Sequence, residues 1–344
     1  MFKKKISILV ALVLCLTALM ACTQKATTGN KVSNTGSNNQ SSSSQLGNHY
    51  PLEFTIYDNK GNKMHQTIEK EPERIVVMGQ GFAELMIHFG EKDKIVGLAY
   101  LDKSYSKYEK QVKELPLLAD MWPSKESVIA LKPDLIVSMS SAFTDDRLED
   151  ISFWNKRGIP VLTGINYTIG RTIDSLFDDV SNLGNVLNIE DKTSAFVKEQ
   201  KTRIEAIKAI AAKTTSKPRV LLVASGGREA YDYYSPSLCV IDEMIEGSGG
   251  EYIKVSEDTY VEMSAESILS INPDKIIITE FQKSDSEASL NKLLSNPNLQ
   301  KVSAIKTKSV MVADYTNAIR GSLELADLYE DVAEFIHPEL FKGE

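Results

Sequence analysis

The hydrophobic pattern of this chain changes period repeatedly, and the changes mark its elements. Leu52 to Tyr57 alternates apolar and polar positions like a half-buried strand, Asp58 to Asn62 reads as a turn, and Met64 to Ile68 as the returning strand. Short unbroken apolar runs follow at Arg74–Met78, Lys94–Ala99, Leu135–Ser138 and Pro160–Thr163, the signature of strands buried on both faces. Between them Phe82–Phe89, Ser124–Leu131, Leu148–Arg157 and Thr172–Leu187 carry a helical spacing. The same alternation resumes later, with strands at Arg219–Ala224, Lys275–Thr279 and Val310–Val312. Helices are expected there at Leu238–Glu246, Ala265–Ile271, Ala288–Leu294 and Gly321–Ile336. Strands alternating with helices predict βαβ units and mainly parallel sheets.

One stretch separates the two series. Ile189 to Lys213 contains no Gly or Pro, and Phe196, Val197, Ile204, Ile207 and Ala211 recur at helical steps. Asp191 suits the first turn, and Glu199 stands four residues before Arg203, a favourable pair. As a single helix it would be roughly 37 Å long. The series on its two sides are two versions of one design. Glu126-Ser-Val-Ile-Ala-Leu-Lys-Pro-Asp-Leu-Ile-Val137 matches Glu266-Ser-Ile-Leu-Ser-Ile-Asn-Pro-Asp-Lys-Ile-Ile277, and Pro72-Glu-Arg-Ile-Val-Val matches Pro218-Arg-Val-Leu-Leu-Val. So long a period implies a duplicated domain. The fold expected is α/β: two Rossmann-like lobes with mainly parallel sheets joined by one long rigid α-helix, with a ligand crevice where strand C-termini face each other. The lobes are expected at 50–188 and 216–344, with the connecting helix at 189–215.

The amino terminus belongs to neither lobe. Lys3 to Lys5 precede an apolar run from Ile6 to Met20, too short to span a bilayer comfortably, so residues 1–21 read as a signal peptide. Thr23 to Asn48 is dominated by Ser, Asn, Thr and Gly, a tether too polar to fold. Residues 22–49 therefore read as an anchor point and leash with a reach of roughly 28 Å. The rest has an ordinary soluble composition, 42% hydrophobic and 25% charged. Loss of Lys3, Lys4 and Lys5 takes the formal charge from −8 to −11, which argues against nucleic acid and against electrostatic adhesion to anionic lipid. Cys15 leaves with the signal, and Cys239 remains without an internal disulfide partner.

Candidate ligand contacts are the residues just after strand ends. From the first lobe these are Met78, Gln80, Tyr100, Trp122, Ser138, Asn166 and Tyr167, and from the second Arg228, Tyr231, Met263, Phe281, Tyr315 and Arg320. Aromatic rings with a few guanidinium groups suit a bulky, partly apolar, partly anionic molecule. The four histidines follow no strand end and no Cys–His spacing suggests zinc, so no direct metal site is expected and no cofactor. Gly79-Gln80-Gly81 lacks the third glycine of a dinucleotide fingerprint. No G-x-S-x-G elbow or nucleophile–base set speaks for an enzyme.

Leu19-Met20-Ala21-Cys22 resembles the lipobox of bacterial lipoproteins. Together with PERIVVMG, ESVIALKPDLIVS, the long helix and ESILSINPDKIIIT, the chain resembles the solute-binding lipoproteins of ABC importers for iron–siderophore complexes, haem and cobalamin. The resemblance covers about residues 52 to 340. It implies lipidation (palmitate) at Cys22, an extracytoplasmic protein anchored to the cell membrane, and a monomer. It implies as partners an ABC permease dimer with its ATPase subunits. It also implies that Glu126 and Glu266, one per lobe, pair with permease arginines. The cargo expected is an iron(III)-siderophore-type chelate, with haem or cobalamin as alternatives. Haem would need an axial ligand, which Met78 or Tyr231 would have to supply.

Overall fold

The unbroken apolar runs become the central strands of two sheets, because a strand covered on both faces has no position for a polar side chain. A computed structural model describes residues 49–103, 106–225, 230–256, 258, 260–282 and 286–341. The signal, Cys22 and the tether up to residue 48 lie outside the described residues, as does Arg228. An antiparallel hairpin opens the body, β1 (Leu52–Tyr57) against β2 (Lys63–Ile68). The first sheet follows with β3 (Ile75–Met78), β4 (Ile95–Ala99), β5 (Leu117–Ala119), β6 (Leu135–Met139) and β7 (Val161–Gly164). Its order is β5-β4-β3-β6-β7 and all its pairings are parallel. All four residues of β3 are buried. The hairpin covers the outer edge of β7: Gln66 accepts from the Val161 amide at 2.9 Å, and Thr163 donates to the Tyr57 carbonyl at 3.0 Å.

The second sheet contains β8 (Arg219–Ser225), β9 (Tyr231–Tyr234), β10 (Glu251–Tyr252), β11 (Tyr260–Met263), β12 (Lys275–Glu280) and β13 (Val310–Val312). Its order is β11-β9-β8-β12-β13, with β10 beside the start of β8. β8, β12, β13 and β10 are parallel, whereas β9 and β11 are antiparallel additions that the sequence pattern did not announce. The architecture is the two-lobed α/β arrangement with a long helix between the series.

The sequence repeat has a structural reason. Ser124 and Ser264 each accept from the backbone amide three residues on, at 3.2 Å in both cases, and so start a short helix. Lys132 and Asn272 then take the left-handed conformation at the same φ of 48°, and the Pro-Asp pair turns the chain into β6 or β12. The Asp134 carboxylate accepts from the Arg74 amide at 2.8 Å and Asp274 from the Arg219 amide at 2.9 Å. Arg74 in turn donates to the Leu131 carbonyl at 2.7 Å, and Arg219 to Ile271 at 3.2 Å. The shared Arg and Asp therefore tie each lobe's first strand to the helix and strand that follow it.

The connecting helix runs from Glu190 to Ala211, 22 residues, about a turn shorter than its composition suggests. It buries Thr193, Phe196, Gln200, Ile204, Ile207 and Ala211 on one face. The preceding helix, Ile173–Leu187, ends at Asn188 with φ 56° and packs back against it. That approach depends on Gly184, where a Cβ would stand 2.0 Å from the Thr193 hydroxyl oxygen. On its other side lies the helix Leu325–Ile336, whose Ala326 amide donates to Gln200 at 2.9 Å. Arg203 does not settle on its own helix as the spacing suggested. It reaches Asp327 at 2.7 Å and Glu330 at 3.3 Å on that neighbour.

Candidate functional site

The C-terminal ends of β4 in one lobe and of β12 and β13 in the other meet across the molecule. Tyr100 follows β4 in the left-handed conformation, φ 59°, and its amide donates to the Met121 carbonyl at 3.1 Å. This strained turn presents the ring beside Trp122, with centroids 4.3 Å apart. From the second lobe Phe281 lies 6.2 Å from the Tyr100 ring and 5.0 Å from that of Tyr315. Gln282, also left-handed, donates to the Leu101 carbonyl across the lobes at 3.0 Å. Tyr100, Trp122 and Phe281 stay half-buried, whereas Tyr315 is buried and its hydroxyl meets that of Tyr234 at 2.9 Å.

Behind the rings stands a buried ion pair. Arg320 ends an irregular helical turn, Thr316–Arg320, and its Nη1 sits 2.5 and 2.6 Å from the two oxygens of Asp102. Thr316 donates to the same carboxylate at 2.9 Å, and Arg320 Nη2 donates to the Tyr100 hydroxyl at 3.3 Å. The guanidinium lies 5.0 Å from the Tyr100 ring centre, 5.5 Å from Tyr315 and 5.9 Å from Phe281. Asp102 is 0% and Arg320 4% exposed, so each charge is desolvated and depends on the other. Burial opposes the Arg320 charge; Asp102, with Tyr167, Tyr315 and Tyr100, more than offsets that and holds its pKa above the ordinary value. Burial also pushes the Tyr167 phenol up, against the pull of Arg320. Arg320 Nε is buried and has no hydrogen-bond partner among the described residues. A second buried guanidinium, Arg171, pairs with Asp179 at 2.6 Å and donates from Nε to the Arg320 carbonyl.

The structure thus brings together Tyr100, Trp122, Tyr167, Phe281, Tyr315 and Arg320 from the strand-end set. It places others inside the lobes. Met78, Ser138, Tyr231 and Met263 are all buried. Gln80 is buried and spends its side chain on Glu84, at 3.1 Å, and on the Lys103 amide, at 3.0 Å. Asn166 is drawn to the opening hairpin, donating to the Asp58 carbonyl at 2.8 Å. Met78 and Met263 end their strands, Ser138 stands one residue before an end and Tyr231 begins its strand, so all four still belong to the sheets, whereas Gln80 and Asn166 lie just beyond a strand but are turned inward by their hydrogen bonds. Glu126 and Glu266 sit exposed in the first turns of their short helices. Hydrogen bonds from its own helix start and from Ser264 hold the Glu266 carboxyl below its usual pKa.

Two members of the cluster escaped the strand-end reading. Asp102 lies two residues past Tyr100, and a rule extended that far along the turn would have included it. Arg147 stacks on Trp122, its guanidinium carbon 4.7 Å from the ring centre, opposite a partly exposed surface. It comes from an irregular loop with no periodic signal. Among the described residues no group of His, Cys, Asp and Glu is arranged to hold a metal ion.

A two-lobed α/β body joined by a long helix, with rings from both lobes meeting at strand ends, has the architecture of a periplasmic-type solute-binding protein. The chain belongs to the periplasmic binding protein family, whose model matches residues 75–315. The ABC transporter substrate-binding lipoprotein YvrC of Bacillus subtilis (strain 168), itself uncharacterized, is 26% identical over 292 residues, covering 84% of this chain and 88% of its own. A cobalamin-binding protein of Halobacterium salinarum is 24% identical over 273 residues, covering 77% of this chain and 69% of its own. Among solved structures, an ABC-type Fe3+-hydroxamate transport system protein of Saccharomonospora viridis superposes with a TM-score of 0.69 at 18% identity, over 83% of this chain and 99% of that one. No helix among the described residues is long and apolar enough to cross a membrane.

Proposed function

We propose that this protein is the substrate-binding lipoprotein of an ABC importer and that it holds an iron(III)-siderophore-type chelate against the rings of Tyr100, Trp122 and Phe281. One observation carries this reading: half-buried aromatic rings from both lobes converge within about 6 Å of one another with a guanidinium behind them. Rings cover the organic shell of a chelate with little entropy lost, and the stacked Arg147 is placed to meet an anionic oxygen. The role is binding and delivery, not catalysis. Cys22 would carry the lipid that keeps a monomeric body at the outer face of the cell membrane, and Glu126 and Glu266 would be the contacts offered to the permease dimer with its ATPase subunits.

Cobalamin is the second reading, favoured by the Asp102–Arg320 pair, which cancels the charge of the guanidinium beneath the rings and leaves Arg147 as the cation on their outer side. Haem is less well supplied, because Met78 and Tyr231, the residues that would ligate its iron, are 0% and 3% exposed. Titrating tryptophan fluorescence with ferric hydroxamate, ferric catecholate, haem and cobalamin tests the assignment. Trp154 is fully buried and bonded to the Leu148 carbonyl at 2.7 Å, so quenching by contact should come from Trp122 and the total should fall in W122F. Stoichiometric quenching without turnover of the ligand is expected; silence towards all four would refute the cargo class.

A further inference from the structure

Two guanidinium groups lie beneath the aromatic cluster, and each is already matched by a carboxylate, Arg320 by Asp102 and Arg171 by Asp179. Asp314 is half-buried and close enough to Asp102 to feel its charge. The Asp102 carboxylate is held on three sides: Arg320 grips both oxygens, and Thr316 donates to one of them. A neutral asparagine could keep the bond from Thr316 but would leave the buried Arg320 charge unmatched. What the charge adds is cancellation of the field that a bare, desolvated guanidinium would project into the cleft.

We propose that Asp102 sets the charge preference of the cleft: by holding Arg320 as a neutral pair, it makes the site favour cargo without net negative charge over polyanionic cargo. The proposal rests on the reading of the ring cluster as the cargo site. It does not depend on the cargo being a ferric chelate. A ferric trihydroxamate is neutral, since three hydroxamate anions balance the iron charge, whereas a ferric tris-catecholate is triply anionic. Cyanocobalamin and haem form a second such pair, one without net charge and one with two propionates.

The test compares the unmodified protein with D102N by equilibrium titration of both ferric chelates at fixed salt, reading the ratio of anionic to neutral affinity. The unmodified protein should take the trihydroxamate in preference. D102N, with Arg320 uncompensated in a low-dielectric site, should raise the ratio at least about tenfold toward the tris-catecholate. The double variant D102N/R320Q, with both charges gone, should bring the ratio back toward that of the unmodified protein. An unchanged ratio in a folded D102N overturns the proposal. Should D102N fail to fold, R320Q decides instead: with Asp102 alone, the ratio must fall further against the anion, and an unchanged ratio overturns the proposal. Binding of cyanocobalamin or haem but of neither ferric chelate would sink the iron reading alone, and the same ratio measured on that second pair then decides the role of Asp102. Binding of none of the four overturns both.

Discussion

Glu84 gives the most quantitative handle on how the first lobe supports the site. It lies 2% exposed on the helix Gln80–Phe89, where it accepts from Gln80 at 3.1 Å and from the Ser106 amide at 3.3 Å. The second bond ties Ser106, four residues past Asp102, to this helix, and Gln80 in turn accepts from the Lys103 amide at 3.0 Å. Burial raises the Glu84 carboxyl from 4.5 to about 7, and the hydrogen bonds only partly counter it. Because the folded state keeps the proton longer than the unfolded chain, this group favours folding fully below pH 4.5. That contribution is lost as pH rises through about 7. At about 1.36 kcal/mol for each pH unit between the two values, the loss is about 3 kcal/mol by pH 8. Glu84→Gln keeps an oxygen for both donors and removes the titration. The stability difference between E84Q and the unmodified protein should therefore shift by about 3 kcal/mol in favour of E84Q between pH 4.5 and pH 8. Urea unfolding followed by far-ultraviolet circular dichroism at the two pH values measures it. Comparison within each pH cancels Asp242, whose carboxyl is raised to about 6 by the same cause. A difference that stays constant with pH would refute the reasoning.

Three further outcomes follow from other parts of the molecule. Gly184→Ala should destabilise the body by about 1–3 kcal/mol, because the new Cβ meets Thr193, and G184A/T193A should recover part of it; thermal unfolding of the three proteins decides. Asp134→Ala and Asp274→Ala, equivalent positions in the two lobes, should each cost about 1–3 kcal/mol by freeing the amides of Arg74 and Arg219, with the larger loss at Asp134, which also holds the Glu73 amide; no loss at either position would break the structural equivalence of the repeat. Reversing both exposed glutamates, E126K/E266K, should abolish uptake in cells while leaving ligand affinity intact; an equal loss of binding would remove them from the docking role.

The parallel core was legible because buried strands have to be unbroken apolar runs and because Pro-Asp punctuation repeats at Pro133 and Pro273. The antiparallel strands Tyr231–Tyr234 and Tyr260–Met263 were not, since tyrosine-rich segments flanked by polar residues carry no distinct period. The strip Leu117–Ala119 is too short for a pattern to register. Periodicity found the long helix but misjudged Arg203, because a spacing rule sees only partners on the same helix. At the site, the strand-end rule reached Tyr100, Trp122, Phe281, Tyr315 and Arg320 because the segments after parallel strands carry the side chains that meet between the lobes. It also gathered Met78, Ser138 and Met263, whose side chains belong to the sheets themselves. Asp102 was invisible as a partner, since its pairing with Arg320 links positions 218 residues apart.

The most direct test of the central claim is the position of iron. A crystal of the protein grown with a ferric trihydroxamate, measured at the iron absorption edge, should show one anomalous peak beside the rings of Tyr100, Trp122 and Phe281, in front of the Asp102–Arg320 pair. A peak elsewhere on the molecule, or none in a crystal of protein that binds the chelate stoichiometrically in solution, would contradict it.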